Sequence, residues 1–418
     1  METGLITQLL GGGVLVFVII VLAGFVLVVR EWLTPRGTTQ LSVNGAEPIE
    51  VVLGSSLLEG LAANGVALPA ACGGRGNCGQ CRLKVVTGGG EALPNERVHL
   101  SRAAIARGER LACMVTVREP LDVVVDEALL NVRQREFVTV SNRQVTPFLT
   151  ELVMEPVDGE GLVFRAGQYV IIEAPPHDIA FSTLALSPSC REAWEQAGVL
   201  GLRSTTHSPT QRAYSIANDP HDPGRLTLVV RIALPPPNAS PDVPPGKVSS
   251  WVFSLEPGDP VSVSGPFGDF GVAPSDRGMV LIAGGAGIAP IRSIILDQLS
   301  AGNGRPISFW YGARNAGELC YVDEFDALAR AHENFTWHAA LSEPGVDPDW
   351  QGYRGFIHTV VRDNYLADHP APEALEYYLC GPPVMSAAVK EMLLKLGVDA
   401  SSIYFDDFGT AGKPSPAT

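Results

Sequence analysis

Between Cys72 and Cys81 three cysteines stand in a C-x5-C-x2-C pattern, interleaved with Gly73, Gly74, Gly76 and Gly79, and Cys113 answers them further along the chain. Thiolates crowded so closely call for a shared metal centre, and a Cys₄ set suits zinc or an iron–sulfur cluster. The glycines separate the two. A glycine-rich loop can wrap its backbone around a compact centre and point N–H groups at bridging sulfides. A zinc ribbon more usually carries two C-x2-C pairs, one per knuckle. The pattern therefore predicts a 2Fe–2S cluster held by Cys72, Cys78, Cys81 and Cys113, with structural zinc as the alternative. The spacing is one residue longer than the plant-type C-x4-C-x2-C. A one-electron carrier needs a source and a sink, and the rest of the chain is expected to supply them.

Residues 3–29 carry no charge, and Gly11 to Val29 is an unbroken apolar run. At about 1.5 Å per residue the uncharged segment is long enough to cross a hydrocarbon core of about 30 Å. A cleaved signal peptide would want a basic start, whereas this chain begins Met1-Glu2. A core helix of that length without a polar face is rare. The expectation is a single transmembrane anchor in contact with membrane lipid. Arg30 and Arg36 follow it, which places the C-terminal part on the cytoplasmic side. No ionisable residue lies in the span, so it offers no ion pathway of its own. A net charge of −15 argues against nucleic acid as a partner. Cys190, Cys320 and Cys380 are scattered singly, as in a reducing compartment rather than a disulfide framework.

Four segments follow: an anchor and linker at 1–37, a cluster domain at 38–130, a β-rich domain at 131–273 and an α/β domain at 274–418. In the second, a hairpin around Asn44-Gly45, a short helix from a Ser55 cap to Ala63, and strands at Arg82–Val86 and Leu121–Val125 fit an α+β ferredoxin-like barrel or β-grasp. In the third, strands at 137–140, 162–164, 169–172, 225–231 and 260–263 with Gly and Pro between them argue an antiparallel barrel. Its stretches 174–210 and 235–245 are expected to be exposed loops rather than core. Arg212-Ala213-Tyr214-Ser215 can neutralise a phosphate, lie against an aromatic ring and hydrogen-bond that ring's edge. Gly246-Lys247-Val248-Ser249 opens a helix whose free N–H groups form a ready pyrophosphate site. Together they point to a flavin. In the fourth segment a buried strand at 279–283 runs into Gly284-Gly285-Ala286-Gly287-Ile288-Ala289-Pro290 and a helix at 291–299. Strands at 307–311, 336–340 and 376–380 alternate with helices near 323–332, 357–364 and 383–396, giving a doubly wound nucleotide domain. After its second strand, Arg314 with Glu318 is thin support for a 2′-phosphate, and Glu318 can instead accept from a ribose hydroxyl.

The motifs at 284–290, 212–215 and Cys380-Gly381-Pro382-Pro383 resemble the ferredoxin–NADP reductase superfamily. The N-terminal anchor, the cluster domain ahead of the flavin domain, and the ending Asp406-Asp407-Phe408-Gly409 narrow the resemblance to the F subunits of sodium-translocating NADH:quinone reductases of bacterial membranes. That resemblance implies FAD held by Arg212, Tyr214, Ser215 and the Gly246–Ser250 helix start. It implies NADH on the turn with Gly285, Gly287 and Pro290, its nicotinamide near Cys380, and Phe408 stacked over the flavin. Ser215, Cys380 and Phe408 would be the catalytic set. Hydride would pass to FAD, and single electrons to the cluster and on to other membrane subunits and ubiquinone, with the folded domains on the cytoplasmic side of the inner membrane. A membrane-tethered reductase feeding an oxygenase or other acceptor is the alternative, and a zinc-stapled scaffold without cofactors is a third reading.

Overall fold

The computed structural model describes residues 17–18, 20–22, 24–25, 37–70, 72–126, 129, 134–236, 240, 243–343, 345 and 347–406. The chain divides into two compact units, one of residues 1–68 and 81–127, the other of 69–80 and 128–418.

In the first unit β1 (Thr38–Val43), β2 (Ile49–Val52), β3 (Arg82–Thr87), β4 (Glu109–Leu111) and β5 (Leu121–Val124) form a sheet ordered β2-β1-β5-β3-β4. β1 and β5 are parallel and the other pairs antiparallel. One helix, Leu57–Ala63, packs on this sheet through Leu57 and Leu61, both fully buried with Leu41, Leu111 and Val123. This mixed sheet with its helix agrees with the β-grasp expectation. The helix cap is Ser56 rather than Ser55: its hydroxyl accepts from Glu59 N, and the Glu59 carboxylate accepts from Ser56 N. That reciprocal pair satisfies two otherwise orphaned donors, which Ser55 is one residue too early to do. From β4, Arg110 donates from Nε and Nη2 to Glu96 at 2.9 and 2.8 Å, and both side chains are buried.

The second unit contains two sheets and an inserted subdomain. β6 (Gln134–Thr146), β7 (Leu149–Pro156), β8 (Tyr169–Ala174), β11 (Thr210–Ser215), β12 (Leu226–Arg231) and β13 (Pro260–Phe267) form an antiparallel sheet ordered β11-β8-β13-β6-β7-β12, whose two ends meet through the Ile216–Leu228 bridge to make a barrel. The strand expected at 162–164 does not form. Leu162 and Phe164 are buried there without a ladder, and Leu162 N donates instead to the Pro223 carbonyl at 3.0 Å. The stretch 174–210 is also not an exposed loop. It folds into β9 (His177–Ala180), a helix Pro188–Gln196 and β10 (Arg203–Thr206). Phe181 and Trp194 are fully buried against Leu184, Ile232 and Phe253, and Trp194 Nε1 donates to the Pro147 carbonyl at 2.6 Å. Aromatic burial on this scale supplies the stability of a small core.

The remaining strands are β14 (Met279–Gly284), β15 (Ile307–Ala313), β16 (Phe335–Leu341), β17 (Tyr353–Arg354), β18 (Glu376–Cys380) and β19 (Ile403–Asp406). They form an all-parallel sheet ordered β17-β16-β15-β14-β18-β19, with helices Ile288–Ser300, Val322–Ala331, Ile357–Val361 and Pro383–Lys395 between strands. The strand order reverses at β14, which leaves a crevice at the carboxyl ends of β14 and β18. The first of these helices begins at Ile288, not at 291. Pro290 lies in its opening turn, where no backbone N–H is required.

Candidate functional site

At the carboxyl end of β14 the chain turns through Gly284, Gly285 and Gly287. A Cβ on Gly287 would stand 2.6 Å from Gly381 N and closer still to the Cys380 carbonyl oxygen. A Cβ on Gly284 would meet Met385 Sδ at 2.7 Å. The turn is therefore folded directly onto the end of β18, and at Gly287, where the neighbours are backbone, only glycine fits. Gly285 has φ +55, and its open side faces Arg231 Nη1, 3.5 Å from where a Cβ would be. Pro290 is buried in the helix start, and the Cys380 thiol is fully buried at the strand end. Sequence reasoning misses Arg231. The only signal for it is its place as the exposed charge closing a run of five buried strand residues.

Arg212, Tyr214 and Ser215 lie on β11, in register with Ile172, Val170 and Tyr169 of β8. Ser215 is buried, and its hydroxyl donates to Asp406 Oδ2 at 3.2 Å, across 191 positions of sequence. Asp406 ends β19, beside Cys380 in the ladder. A buried serine thus links the motif strand of the barrel to the carboxyl end of the parallel sheet. Desolvation, followed by the like charge of Arg75, lowers the pKa of the Arg212 guanidinium. That side chain lies against the cysteine loop: a Cβ on Gly73 would stand 2.9 Å from Arg212 Cζ and from the Gln211 carbonyl oxygen. Tyr169 OH donates to Gln80 Oε1 at 2.8 Å, a second contact between the barrel and this loop.

Gly246 caps the helix Lys247–Ser254, and a Cβ there would meet Ala233 Cβ at 2.6 Å. The Ser249 hydroxyl donates to the Gly246 carbonyl and accepts from Ala233 N, both at 3.1 Å, so it shapes the turn. Val248 is buried in the barrel core, and Lys247 is half-buried. What this segment offers an anion is its backbone N–H groups. Arg314 and Glu318 come together as an ion pair, and the Arg314 guanidinium pKa is raised chiefly by its hydrogen bond to Glu318. Phe408 lies outside the described residues.

The four cysteines are free thiols in two close pairs, Cys78 Sγ to Cys72 Sγ at 3.4 Å and Cys81 Sγ to Cys113 Sγ at 3.3 Å. Gly73, Gly74, Gly76 and Gly79 all have φ between +65 and +81. This left-handed backbone turns N–H groups inward, as Arg75 N does to Cys72 Sγ at 3.3 Å. The Cys78 hydrogen bond, helped by the N–H groups of Asn77, Cys78 and Arg75, lowers the Cys72 thiol to about 4. Loop and thiols fit a cluster's need for thiolates and N–H donors. Among the described residues no three His, Cys, Asp or Glu side chains, these cysteines included, converge as a metal-ligating group, and no helix is long and apolar enough to cross a membrane. The span expected at 11–29 falls mostly outside the described residues.

Three family models match the chain: a 2Fe-2S iron-sulfur cluster binding domain over residues 41–118, an oxidoreductase FAD-binding domain over 195–271, and an oxidoreductase NAD-binding domain over 281–391. Among solved structures it is similar to the Amycolatopsis cytochrome P450 reductase GcoB, at 26% identity and a TM-score of 0.60, covering 89% of this chain and 99% of that one. The F subunit of the Na(+)-translocating NADH-quinone reductase of Methylococcus capsulatus is 46% identical over 94% of this chain and 97% of its own length. Its counterpart in Neisseria meningitidis is 45% identical over 95% and 98%. Identity at this level across both whole lengths, on a fold that brings cluster, FAD and NAD domains together in one chain, shows that this protein belongs to the family of Na(+)-translocating NADH-quinone reductase F subunits.

Proposed function

We propose that this chain takes hydride from NADH onto FAD and passes electrons singly through a 2Fe–2S centre to partner subunits that reduce quinone, sodium translocation belonging to the assembled complex. The observation that carries the reading is the Ser215–Asp406 hydrogen bond, which joins the flavin-motif strand to the mouth of the nucleotide sheet. When bound, the flavin accepts an electron pair and releases single electrons, and the cluster takes one at a time. Arg212 neutralises a flavin phosphate, Tyr214 lies against the ring and Ser215 hydrogen-bonds its edge. The N–H groups of Lys247, Val248 and Ser249 face the pyrophosphate, with Gly246 giving close approach. Gly285, Gly287 and Pro290 let the NADH pyrophosphate approach the backbone, and Arg231 brings a cation to it. Cys380 and Phe408 border the nicotinamide and flavin, and Glu318 with Arg314 faces the adenosine ribose. Cys72, Cys78, Cys81 and Cys113 hold the cluster.

In this reading the segment 1–37 is a single-pass anchor in a bacterial cell membrane, with a cluster domain at 38–130, an FAD domain at 131–273 and an NADH domain at 274–418 on the cytoplasmic side. The exposed helical side chains of Phe17, Ile20 and Phe25 and the arginines at 30 and 36 support it. The full chain reconstituted with its membrane partners is expected to drive NADH-dependent quinone reduction. A chain beginning at Leu33 should reduce ferricyanide with NADH yet give no quinone reduction. If the reconstituted full chain reduces ferricyanide and leaves quinone untouched, the second reading takes its place. That reading, a tethered reductase serving an oxygenase, draws support from the likeness to the cytochrome P450 reductase.

A further inference from the structure

Directly after the glycine turn, two consecutive side chains of the helix Ile288–Ser300 reach to the barrel. Arg292 Nη1 donates to the Ala217 carbonyl at 2.7 Å, and the fully buried Ser293 hydroxyl donates to the Asn218 carbonyl at 2.8 Å. Ala217 and Asn218 lie just past the end of β11, the strand that carries the flavin motif. Asn218 is fixed in turn: its side-chain amide donates to the carbonyls of Asp219, Asp222 and Arg225, and its Oδ1 accepts from Thr227 N.

Arg292 is itself held on three sides. Nε and Nη2 make a forked pair with Glu324 at 2.7 and 2.6 Å, and the guanidinium stacks over the Tyr321 ring, 4.6 Å from its centroid. Tyr321 OH donates to Glu151 Oε2 at 2.6 Å, which returns the chain of contacts to β7 of the barrel. Tyr321 has φ +62, a left-handed conformation that is strained for a bulky residue and persists only where its surroundings over-determine it. With three of its five N–H donors committed to Glu324 and Ala217, Arg292 has a structural task. It stands two residues beyond Pro290, on the helix that the glycine turn opens.

We propose that Arg292, braced by Glu324 and Tyr321, is a positioning residue that sets the spacing between the nucleotide turn at 284–287 and the flavin-motif strand, and so the distance over which hydride passes. The proposal rests on the NADH-to-FAD reading given above. A fork fits this task because it fixes direction as well as distance, which a lysine's point charge does not. Displacing reacting groups by about 1 Å can cost about a hundredfold in rate.

The test uses the full-length holoprotein under stopped flow, following flavin bleaching by NADH. If the wild type does not bleach, the underlying reading fails, and the positioning proposal with it. In a wild type that bleaches, Arg292→Gln is expected to lower the rate constant at saturating NADH by at least about tenfold. The NADH Kd should stay within about threefold, and flavin content should be unchanged. The long-wavelength charge-transfer absorbance of the flavin–nicotinamide pair should weaken, a signal that loss of fold stability alone would not move. Arg292→Lys should recover only part of the rate. An unchanged rate constant with a lowered Tm would overturn the proposal, as would a raised Kd with an unchanged rate constant. Should Arg292→Gln not fold, Tyr321→Phe decides, since it removes only the hydroxyl to Glu151. A lowered rate constant and a weaker charge-transfer band there support the proposal, and wild-type values for both refute it.

Discussion

Gly287→Ala separates local propensity from tertiary sterics. Gly287 has φ −63 and ψ −9, ordinary right-handed values that alanine adopts freely. On backbone entropy alone the change should stabilise the chain by about 0.4–1 kcal/mol. The packing says otherwise. The new methyl would stand 2.6 Å from Gly381 N and nearer to the Cys380 carbonyl, against a limit of 3.0 Å that real Cβ atoms essentially never cross. Both neighbours are backbone at the end of a fully buried strand, so no side chain can rotate away. Overpacking of this kind costs about 1–3 kcal/mol, which outweighs the entropic gain. The turn must lift from β18, so NADH binding should weaken as well. Thermal unfolding of Gly287→Ala should give a Tm several degrees below wild type, with a raised NADH Kd. Gly201→Ala serves as the control, because its Cβ would meet nothing within 4 Å, and its Tm should match or exceed wild type. A Tm for Gly287→Ala at or above that of Gly201→Ala would refute the steric argument.

Cys113→Ala should abolish the low-temperature EPR signal of the cluster while flavin absorbance and NADH-driven bleaching persist, and an intact signal would remove Cys113 from the ligand set. NADH should be preferred over NADPH by at least about tenfold in kcat/KM, or about 1.4 kcal/mol. Glu318→Gln should narrow that gap by releasing Arg314 from its ion pair toward a 2′-phosphate; equal efficiencies in the wild type would sink the assignment. In the cluster domain burial raises the Glu96 pKa, but hydrogen bonds from Arg110, Leu111 N and Leu93 N outweigh it and leave the pKa lowered. A lowered folded-state pKa means the unfolded chain binds the proton first, so the stabilisation is complete above the unfolded value of about 4.3 and is lost as pH falls through the folded one. Glu96→Gln should cost about 3 kcal/mol at neutral pH by leaving Arg110 buried and unpaired, and should flatten the acid limb of a stability–pH curve. An unchanged acid limb would show that Glu96 does not govern it.

The parts legible in the sequence are those whose cause is local. The cysteine spacing and its glycines announced a loop that wraps its backbone around a compact centre, and all four glycines take the left-handed φ values that only glycine adopts cheaply. The parallel strand at 279–283 was visible as a continuous apolar run, as a strand buried on both faces is, and those at 307–311 and 376–380 by their alternation with helices. Locality also explains the errors. Leu162–Phe164 looked like a strand because burial without a ladder leaves the same apolar signature. The 174–210 segment looked like loop because Phe181, Leu184, Trp194 and Val199 are spaced at no regular period and acquire meaning only when they converge on Phe253 and Ile232.

The site divides in the same way. Arg212, Tyr214, Ser215 and the 284–290 turn could be named beforehand because each is a short motif with its own backbone geometry. Asp406 opposite Ser215, Arg231 beside Gly285, and the Arg292–Glu324–Tyr321–Glu151 brace depended on the tertiary structure, which brings together residues up to 191 positions apart. A hydrogen bond or ion pair between distant segments leaves no periodicity in the chain that carries it, because its geometry comes from how two sheets and their helices pack.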